Sequence, residues 1–537
     1  MPPSYVHVDI ETTGLNEFRD DIRVISIDGR VFDLYVPKQR LKAIAELEER
    51  MKREVFVAHN AQFDIAWLLH KFGLFPEAGV FDTMVAYQVL TAGRHEKSAS
   101  LAAVCEELLG VRLPKDHQSG GWDGMFLLPE QLEYAARDTR VLPRLREVLT
   151  RMLRQDKLWH VFSLEMELLP VLCEMHNRGI LIDKDGAYDL LERLDVEARE
   201  VYARLPPRLN PRSPLAVARH LGTDDATEDT IRAYLYDHPD DEVAQRILQY
   251  KKITKKASYV RKQLLDRLEA DGRLHPTFTQ TSTATGRFSC KEPNLQQVDR
   301  GEDVRGLFVA GEGRRLVLAD YAQLELRLAA YLSDDPVMID AYREGRDLHS
   351  ETCQRIFGEE NKRTRTLSKN INFASVFGGG HGTLVKFAFR NGVVISEEEA
   401  KDFHDGFHTA YPALSRWQKK QGNTTAGEYV YTPFGRRRYV PLGRDYCTRI
   451  NTPVQGCGAD GMKIAIVWLY AKGVVPTLTV HDELVVECDA ADAQEVKQLV
   501  EKSMVYGMYR AMGQDYAHPR VPIEAEGIIA RSWAEKK

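Results

Sequence analysis

The segment RRLVLADYAQLELRLAAYL, residues 314–332, constrains this chain more than any other. It reads as a buried strand that ends on Asp320 and gives way to a helix near Tyr321. Glu325 follows five residues later, in the first turns of that helix. A carboxylate at the C-terminal end of a strand lies at a sheet edge, where it can bind a metal; alternatively, such an aspartate caps the helix. A second segment, TLTVHDELVVEC (477–488), reads as two β runs with His481-Asp482 at the tight connection. Adjacent residues on a regular strand face opposite ways, so Asp482 is read as the ligand and Glu483 as a supporting group. Asp320 and Asp482 make the minimal pair for two Mg2+ ions in phosphoryl transfer.

RTLSKNINFASVFGGG (365–380) repeats Arg365, Lys369, Phe373 and Phe377 every four residues. On a helix these form one face, cationic at its start and aromatic at its end. Arg365 and Lys369 suit a triphosphate, and the two rings suit a sugar or base. A buried core helix is the plainer alternative, but its apolar stripe would not carry two bases. Gly378-Gly379-Gly380 then stops the helix and permits a hinge.

The N-terminal region carries a separate set of carboxylates. Asp9 and Glu11 lie two apart in VHVDIETTGL, so on a strand they share a face. HNAQFD spaces Asn60 and Asp64 by four, and YAARD spaces Tyr134 and Asp138 by four, on one helical face. Each pair alone is more often structural. Together Asp9, Glu11, Asp64 and Asp138 offer oxygen ligands to two hard cations, and Tyr134 is placed to orient a nucleophilic water. Asp82, in FDTM, reads as structural rather than as a ligand.

Length and composition bound the rest. At 537 residues, 43% apolar and 28% charged, this is an ordinary globular chain of three or four domains, or two with one subdivided. No run approaches the ~18 apolar residues of a membrane span. The N-terminus lacks the pattern of a secretory signal or an Arg- and Ser-rich transit peptide. The seven cysteines are scattered with no CxxC pair, which points to reduced thiols in a cytoplasmic compartment. The net charge of −6 does not favour nucleic acid, yet a local basic face is what grips phosphate. YKKITKKASYVRK (250–262) supplies one, with Lys251, Lys252, Lys255, Lys256, Arg261 and Lys262, unless it is simply a solvated helix face. Texture divides the chain in three. Residues 1–150 begin β-rich (Tyr5–Ile10, Val24–Asp28, Val31–Val36, Val55–His59) and continue into helices; 155–270 read as helical; 275–537 mix both.

With these residues in place, two resemblances emerge. The Asp9/Glu11, Asp64 and Tyr134/Asp138 motifs, over about residues 5–145, resemble the DEDD 3′–5′ exonucleases of the Tyr-containing subclass. The segments around Asp320, Lys369 and Asp482 resemble the three polymerase motifs of family-A DNA polymerases, the bacterial DNA polymerase I large-fragment type. QTSTATGRFSCKEPNLQQV (280–298), TPFGRRR (432–438), RINTPVQG (449–456) and LLPVLCEMHNRGILID (168–183) extend that likeness over nearly the whole chain.

The resemblance implies an α/β exonuclease domain, an RNase H-like mixed sheet with helices, at 1–150. An α+β right-hand polymerase domain would follow: thumb 160–275, first palm part 276–354, fingers 355–430, second palm part 431–537. It implies two Mg2+ ions on Asp320 and Asp482 and two at the exonuclease site, with Mn2+ able to substitute. Arg365, Lys369 and His349 would hold the triphosphate, Lys369 would protonate pyrophosphate, and Phe373 would pack on the sugar. Glu325 would be the steric gate against a ribose 2′-OH, with Gln323, Tyr321 and Phe377 also lining the nucleotide site. Arg287, Asn451, Gln455 and His481 would contact the duplex near the primer end, and the thumb lysines its backbone. Primer–template DNA and dNTPs are the implied substrates, and a helicase, primase and single-strand binding protein the implied partners of a cytoplasmic monomer with no membrane attachment. The compact plan, with no 5′ nuclease expected, suggests a bacteriophage-type replicative enzyme. Two positions depart from the family: Phe377 stands where Tyr is usual, and Cys447 where Arg is expected, with Arg449 two residues on. Competing readings are a nuclease on an inert platform, a single-subunit RNA polymerase and a non-catalytic binding protein. The intact carboxylates and Glu325 speak against them.

Overall fold

The structure, a computed structural model, describes residues 3–94, 96–114, 121–299, 301–423, 427–442 and 445–535. Its first unit is built on a five-stranded mixed sheet. β1 (Tyr5–Thr12) lies at the centre, antiparallel to β2 (Ile22–Ile27) and parallel to β4 (Val55–Ala58); β3 (Arg30–Asp33) and β5 (Val80–Asp82) form the edges. Val31–Val36 was expected as strand, but the strand stops at Asp33. Pro37, whose fixed φ suits the first helical turn, opens the helix α1 (Pro37–Met51). Helices α2 (Ala61–Phe72), α3 (Thr83–Thr91), α4 (Leu101–Leu109) and α5 (Pro129–Gln155) complete the unit around its own apolar core.

α6 (Trp159–Arg178) joins this unit to the rest. Val161, Phe162, Met166, Leu169 and Cys173 seat in the N-terminal core, while Leu168, Val171, Leu172 and Met175 seat in the second core. The two sets interleave around one helix, so α6 is a shared wall. Its Glu165 is fully buried and accepts from Lys463 Nζ at 2.6 Å and Arg436 Nη2 at 2.5 Å. Arg436 Nε donates to the buried Asp460 at 2.7 Å, and Lys463 also donates to the Gln280 carbonyl at 2.7 Å. Two acids and two bases thus form a charge-balanced knot far from water. Further contacts bind the units: Gln62 Nε2 to the Phe278 carbonyl, Arg437 to Asp156, and the Phe18 ring centred 4.0 Å from that of His275.

A helical arm follows: α7 (Lys184–Ala203), α8 (Pro214–Leu221), α9 (Glu228–Asp237) and α10 (Glu242–Tyr259). Its tip has a small core of its own, from Leu205, Val217, Leu221, Ile231, Ala244 and Ile247. Lys252, Lys255, Arg261 and Lys262 are exposed along α10 and the turn after it. Lys256 is engaged by Asp303 at 2.6 Å, and Arg261 by Asp195 at 3.2 Å.

The second sheet is antiparallel throughout, in the order Leu478–Val480, Glu483–Asp489, Arg314–Tyr321, Ala525–Ala530. Strand Arg314–Tyr321 reaches past Asp320, and its Leu316–Ala319 run is fully buried. The helix expected to be long is Leu324–Ser333, broken by Asp334 in the left-handed region and Asp335-Pro336, where a second helix begins. The expected helix at 455–472 starts earlier, at Tyr446. Five helices between Leu348 and Gln421 pack on one another as a cap, joined to the helices Leu324–Ser333 and Tyr446–Tyr470.

Candidate active sites

In the N-terminal unit β1 carries Asp9 and Glu11 on the face that also bears His7, with His7 Nδ1 held 2.8 Å from Asp28. Asp64, in the first turn of α2, is buried, and its Oδ1 accepts the Ile10 N–H at 3.1 Å; this brings α2 against the strand. Asp82 behaves as the structural residue it was read to be. It caps α3 and accepts from the backbone N–H of Asn60, Ala61, Met84 and Val85 at 2.8–3.3 Å. That grip fixes Asn60, in the left-handed region at φ 72°, and so the start of α2. Tyr134 and Asp138 share one face of α5 and are hydrogen-bonded to each other.

Electrostatics shows the four carboxylates converging. Burial first, then Glu11, Asp64 and Asp138, push Asp9 well above the usual carboxylate range. Burial and the charges of Asp138 and Asp64 raise Glu11 to about 8. Burial raises Asp64 to about 8 and Asp138 to about 6. Asp9 Oδ2 is buried with no hydrogen-bond partner. Among the described residues no three such side chains are already drawn into a closed ligand set. Repelling carboxylates around an orphaned oxygen are nevertheless a donor set that suits hard divalent cations.

In the second sheet Asp320 pairs in register with Glu483 on one side and Glu526 on the other. Asp482 sits at the hairpin tip, as read, after His481 at φ 56°; its carbonyl accepts the Tyr321 N–H at 3.3 Å, which puts it beside Asp320. Glu483 is buried, accepts from Trp533 Nε1 at 3.1 Å and lies 3.8 Å from Arg305. A cavity of about 340 Å³ opens at this edge, lined by Tyr321, Glu325, Arg287, Gln455, His481 and Asp482. Arg287 donates to Glu325 Oε1 at 2.5 Å.

The helix Lys362–Val376 presents its predicted stripe. Lys369 and Phe373 are exposed and Arg365 and Phe377 half-buried, whereas Leu367, Ile371 and Ala374 are buried. Phe377 is the C-cap, and Gly378 adopts φ 74°, which ends the helix. His349 stands 6.1 Å from the Phe373 ring and takes a hydrogen bond from Asn372 on Nδ1 at 2.8 Å. Burial pushes His349 down to about 4, so it is a neutral imidazole with its proton on Nε2. Asn451 lies half-buried on the helix Tyr446–Tyr470, with a buried Oδ1 that has no hydrogen-bond partner.

Asp347 was not singled out from the sequence. Its Oδ1 caps the helix Leu348–Phe357 through Ser350 N and receives Arg365 Nη1 at 3.1 Å; its Oδ2 receives Gln323 Nε2 at 2.7 Å. One carboxylate thus ties Arg365 to the turn between Asp320 and Glu325. The available signal was local: an aspartate three residues before a serine, ahead of a helix. Arg449 does not stand in for the arginine expected at Cys447. It is buried, and its Nη2 donates to the carbonyls of Gly427 and Val440. Cys447 is exposed and donates to the Gly378 carbonyl at 3.3 Å.

The two sheets, their acidic edges and the helical cap define a nucleotidyl-transferring right hand joined to a nuclease. Residues 209–535 match DNA polymerase family A, and residues 2–154 match a 3′-5′ exonuclease family. The chain belongs to DNA polymerase family A and carries a 3′–5′ exonuclease domain ahead of the polymerase domain. Template-directed DNA synthesis with 3′–5′ proofreading is the activity of that pair. Among its relatives, DNA polymerase I of Aquifex aeolicus is 32% identical over 99% of this chain and 96% of its own length. Thermostable DNA polymerase I of Thermus aquaticus is 34% identical over 71% of this chain and 49% of its own length. The POL domain of Pol1 from M. smegmatis, solved with DNA primer-template and dNTP, has the same fold. Its TM-score is 0.86 at 23% identity, covering 99% of this chain and 96% of that one.

Proposed function

We propose that the cavity beside Asp320 and Asp482 is the site of dNTP addition and that the Asp9–Glu11–Asp64–Asp138 cluster removes mispaired 3′ ends. The observation that carries the reading is the convergence of Tyr321, Glu325, Arg287, Gln455, His481 and Asp482 on one cavity at the sheet edge. Divalent cations, taken to be Mg2+ with Mn2+ able to substitute, would be held by Asp320 and Asp482 and by the four buried carboxylates. When bound they supply charge neutralisation at the phosphate oxygens.

The chain's own residues do the rest. Arg365 and Lys369 bind the triphosphate, and Asp347 keeps Arg365 from swinging away. Lys369, exposed on the helix face, is the proton donor to departing pyrophosphate. Neutral His349 donates from Nε2 without adding charge. Phe373 packs on the sugar. Glu325, held by Arg287, occupies the space a 2′-OH would need. Gln323 and Phe377 complete the nucleotide side, and Asn451, Gln455 and His481 the primer side. In the exonuclease site Tyr134 orients the attacking water from its place beside Asp138.

The subdivision into exonuclease (1–150), thumb (160–275), palm (276–354 and 431–537) and fingers (355–430) belongs to the same proposal. So do primer–template DNA and dNTPs as substrates, a monomer as the working unit, helicase, primase and single-strand binding protein as partners, and a cytoplasmic setting. No helix among the described residues is long and apolar enough to cross a membrane.

A labelled recessed primer–template in Mg2+ tests the reading. Extension with dNTPs and 3′ shortening without them are expected. Shortening in both conditions would overturn the polymerase assignment, and extension without shortening the exonuclease assignment.

A further inference from the structure

The free ends of the arm and the cap meet. Arg390, at the end of helix His381–Arg390, forms an ion pair with Asp229 at the start of α9. Beside it Phe389 meets Tyr236 edge-on, with centroids 5.5 Å apart and rings 87° to each other. These are contacts between two elements that are otherwise separate. α9 belongs to the arm tip with its private core, and Arg390 ends a helix of the cap.

Both elements rise from the same floor. The arm is rooted by Tyr250, Ile253 and Ala257 of α10 in the main core, and the cap by Leu367, Ile371 and Ala374 in that same core. Two projections that share a base and touch at their tips make a ring. The floor carries Arg287, Gln455 and His481 around its cavity, and the arm carries the exposed lysines 252, 255 and 262.

We infer that this contact is a clasp that closes the polymerase cleft around duplex DNA, making the enzyme its own topological tether to the template. The inference rests on the reading of the cleft as the duplex site. Its chemistry suits a gate rather than a weld. The ion pair is exposed on both sides, 58% and 61%, and one ring edge adds the only other contact described. Such contacts open readily to admit a strand and reclose over it. The next residue links the clasp to catalysis: Asn391 Nδ2 donates to Asn370 Oδ1 at 2.9 Å, and Asn370 adjoins Lys369. Closure at the tip and the pose of the triphosphate helix are therefore mechanically connected.

The test uses the full chain with Cys447→Ser, because Cys447 is the exposed cysteine among seven free ones. Asp229→Cys and Arg390→Cys are added, and the tips are joined with a short bismaleimide. Joined after loading on a primed single-stranded circle, the enzyme is expected to survive a high-salt challenge there, while it slides off a linear template. Joined before DNA is added, it is expected to be excluded from the circle yet to thread and extend a short linear primer–template. Loss from circles as fast as from linear DNA, entry of the pre-joined ring onto circles, or failure of the tips to join on DNA would each overturn the clasp. Failure to extend the short linear template even unjoined would instead fault the polymerase reading. Charge reversal gives a second measure. Asp229→Arg or Arg390→Asp alone should shorten the run length about threefold to tenfold, and the two together should restore it. No loss in the single variants would also overturn the proposal.

Discussion

Replacing Glu165 with glutamine strikes the knot that joins α6 to the polymerase floor. The parent carboxylate takes hydrogen bonds from Lys463 and Arg436, all three side chains buried. Charge-assisted hydrogen bonds of this kind contribute about 1.5–3 kcal/mol each. Glutamine keeps an acceptor oxygen for one of the cations and leaves a buried surplus of positive charge. Removing one partner of a buried pair costs about 3–5 kcal/mol. Lys463 provides a partial escape, because burial already pushes it down to about 8. Shedding its proton at about pH 7 costs roughly 1.4 kcal/mol per unit of pKa, less than leaving the charge unpaired. The expected loss is therefore about 3 kcal/mol at pH 7.

The escape has a pH signature. The folded parent holds the Lys463 proton up to a pH of about 8, whereas the folded variant has released it by about pH 7. The unfolded states bind the same number of protons there. The gap between parent and variant should then narrow by about 1.4 kcal/mol per pH unit from pH 7 to about 8, and flatten above that. Chemical denaturation of both proteins at several pH values measures it. Equal stability at pH 7, or a gap that does not change with pH, would refute this account of the knot.

Other outcomes follow from named contacts. Asp9→Asn should abolish 3′ shortening, spare extension, and stabilise the cation-free protein by on the order of 1–3 kcal/mol, by removing first the cost of burying this carboxyl and then its repulsion with Glu11, Asp64 and Asp138; thermal denaturation in chelator checks it. In the parent the pKa of Glu11, raised to about 8, means that stability in chelator should fall as pH rises from about 4.5 to 8. Asp82→Ala, which strands four backbone N–H groups, should cost about 2–4 kcal/mol and slow 3′ shortening more than extension, read from denaturation and single-turnover assays. Glu325→Ala should relax the rejection of ribonucleotides in an extension assay; unchanged rejection would remove Glu325 from the gate.

Much of the candidate site was legible because its residues come in short segments with strong local geometry. Asp9 and Glu11 declare themselves by strand alternation, and Arg365, Lys369, Phe373 and Phe377 by helical recurrence. His481-Asp482 declares itself by its place between two apolar runs. Pro37 carried a helix-start signal that the strand reading of Val31–Val36 overran. Other features had no local signature. Glu165, Arg436, Asp460 and Lys463 come from distant parts of the chain, and only packing shows that they neutralise one another. The strand Ala525–Ala530 alternates weakly and is half exposed at the sheet edge. Arg449 lies two residues past the position where an arginine is expected; only packing shows that it is buried and holds backbone carbonyls.

The shared helix α6 bears on how this architecture can be taken apart. A fragment beginning after Gln155 would leave Val161, Phe162, Met166, Leu169 and Cys173 facing water, a side of the helix now sealed by the nuclease core. A fragment ending at Gln155 would lose the same five side chains from its own interior. Deleting either activity by truncation therefore damages the survivor, and point substitutions in the carboxylates are the gentler way to separate them. The same joint would give selection a reason to keep the nuclease unit even where fidelity is not demanded, since losing it would bare those five apolar side chains.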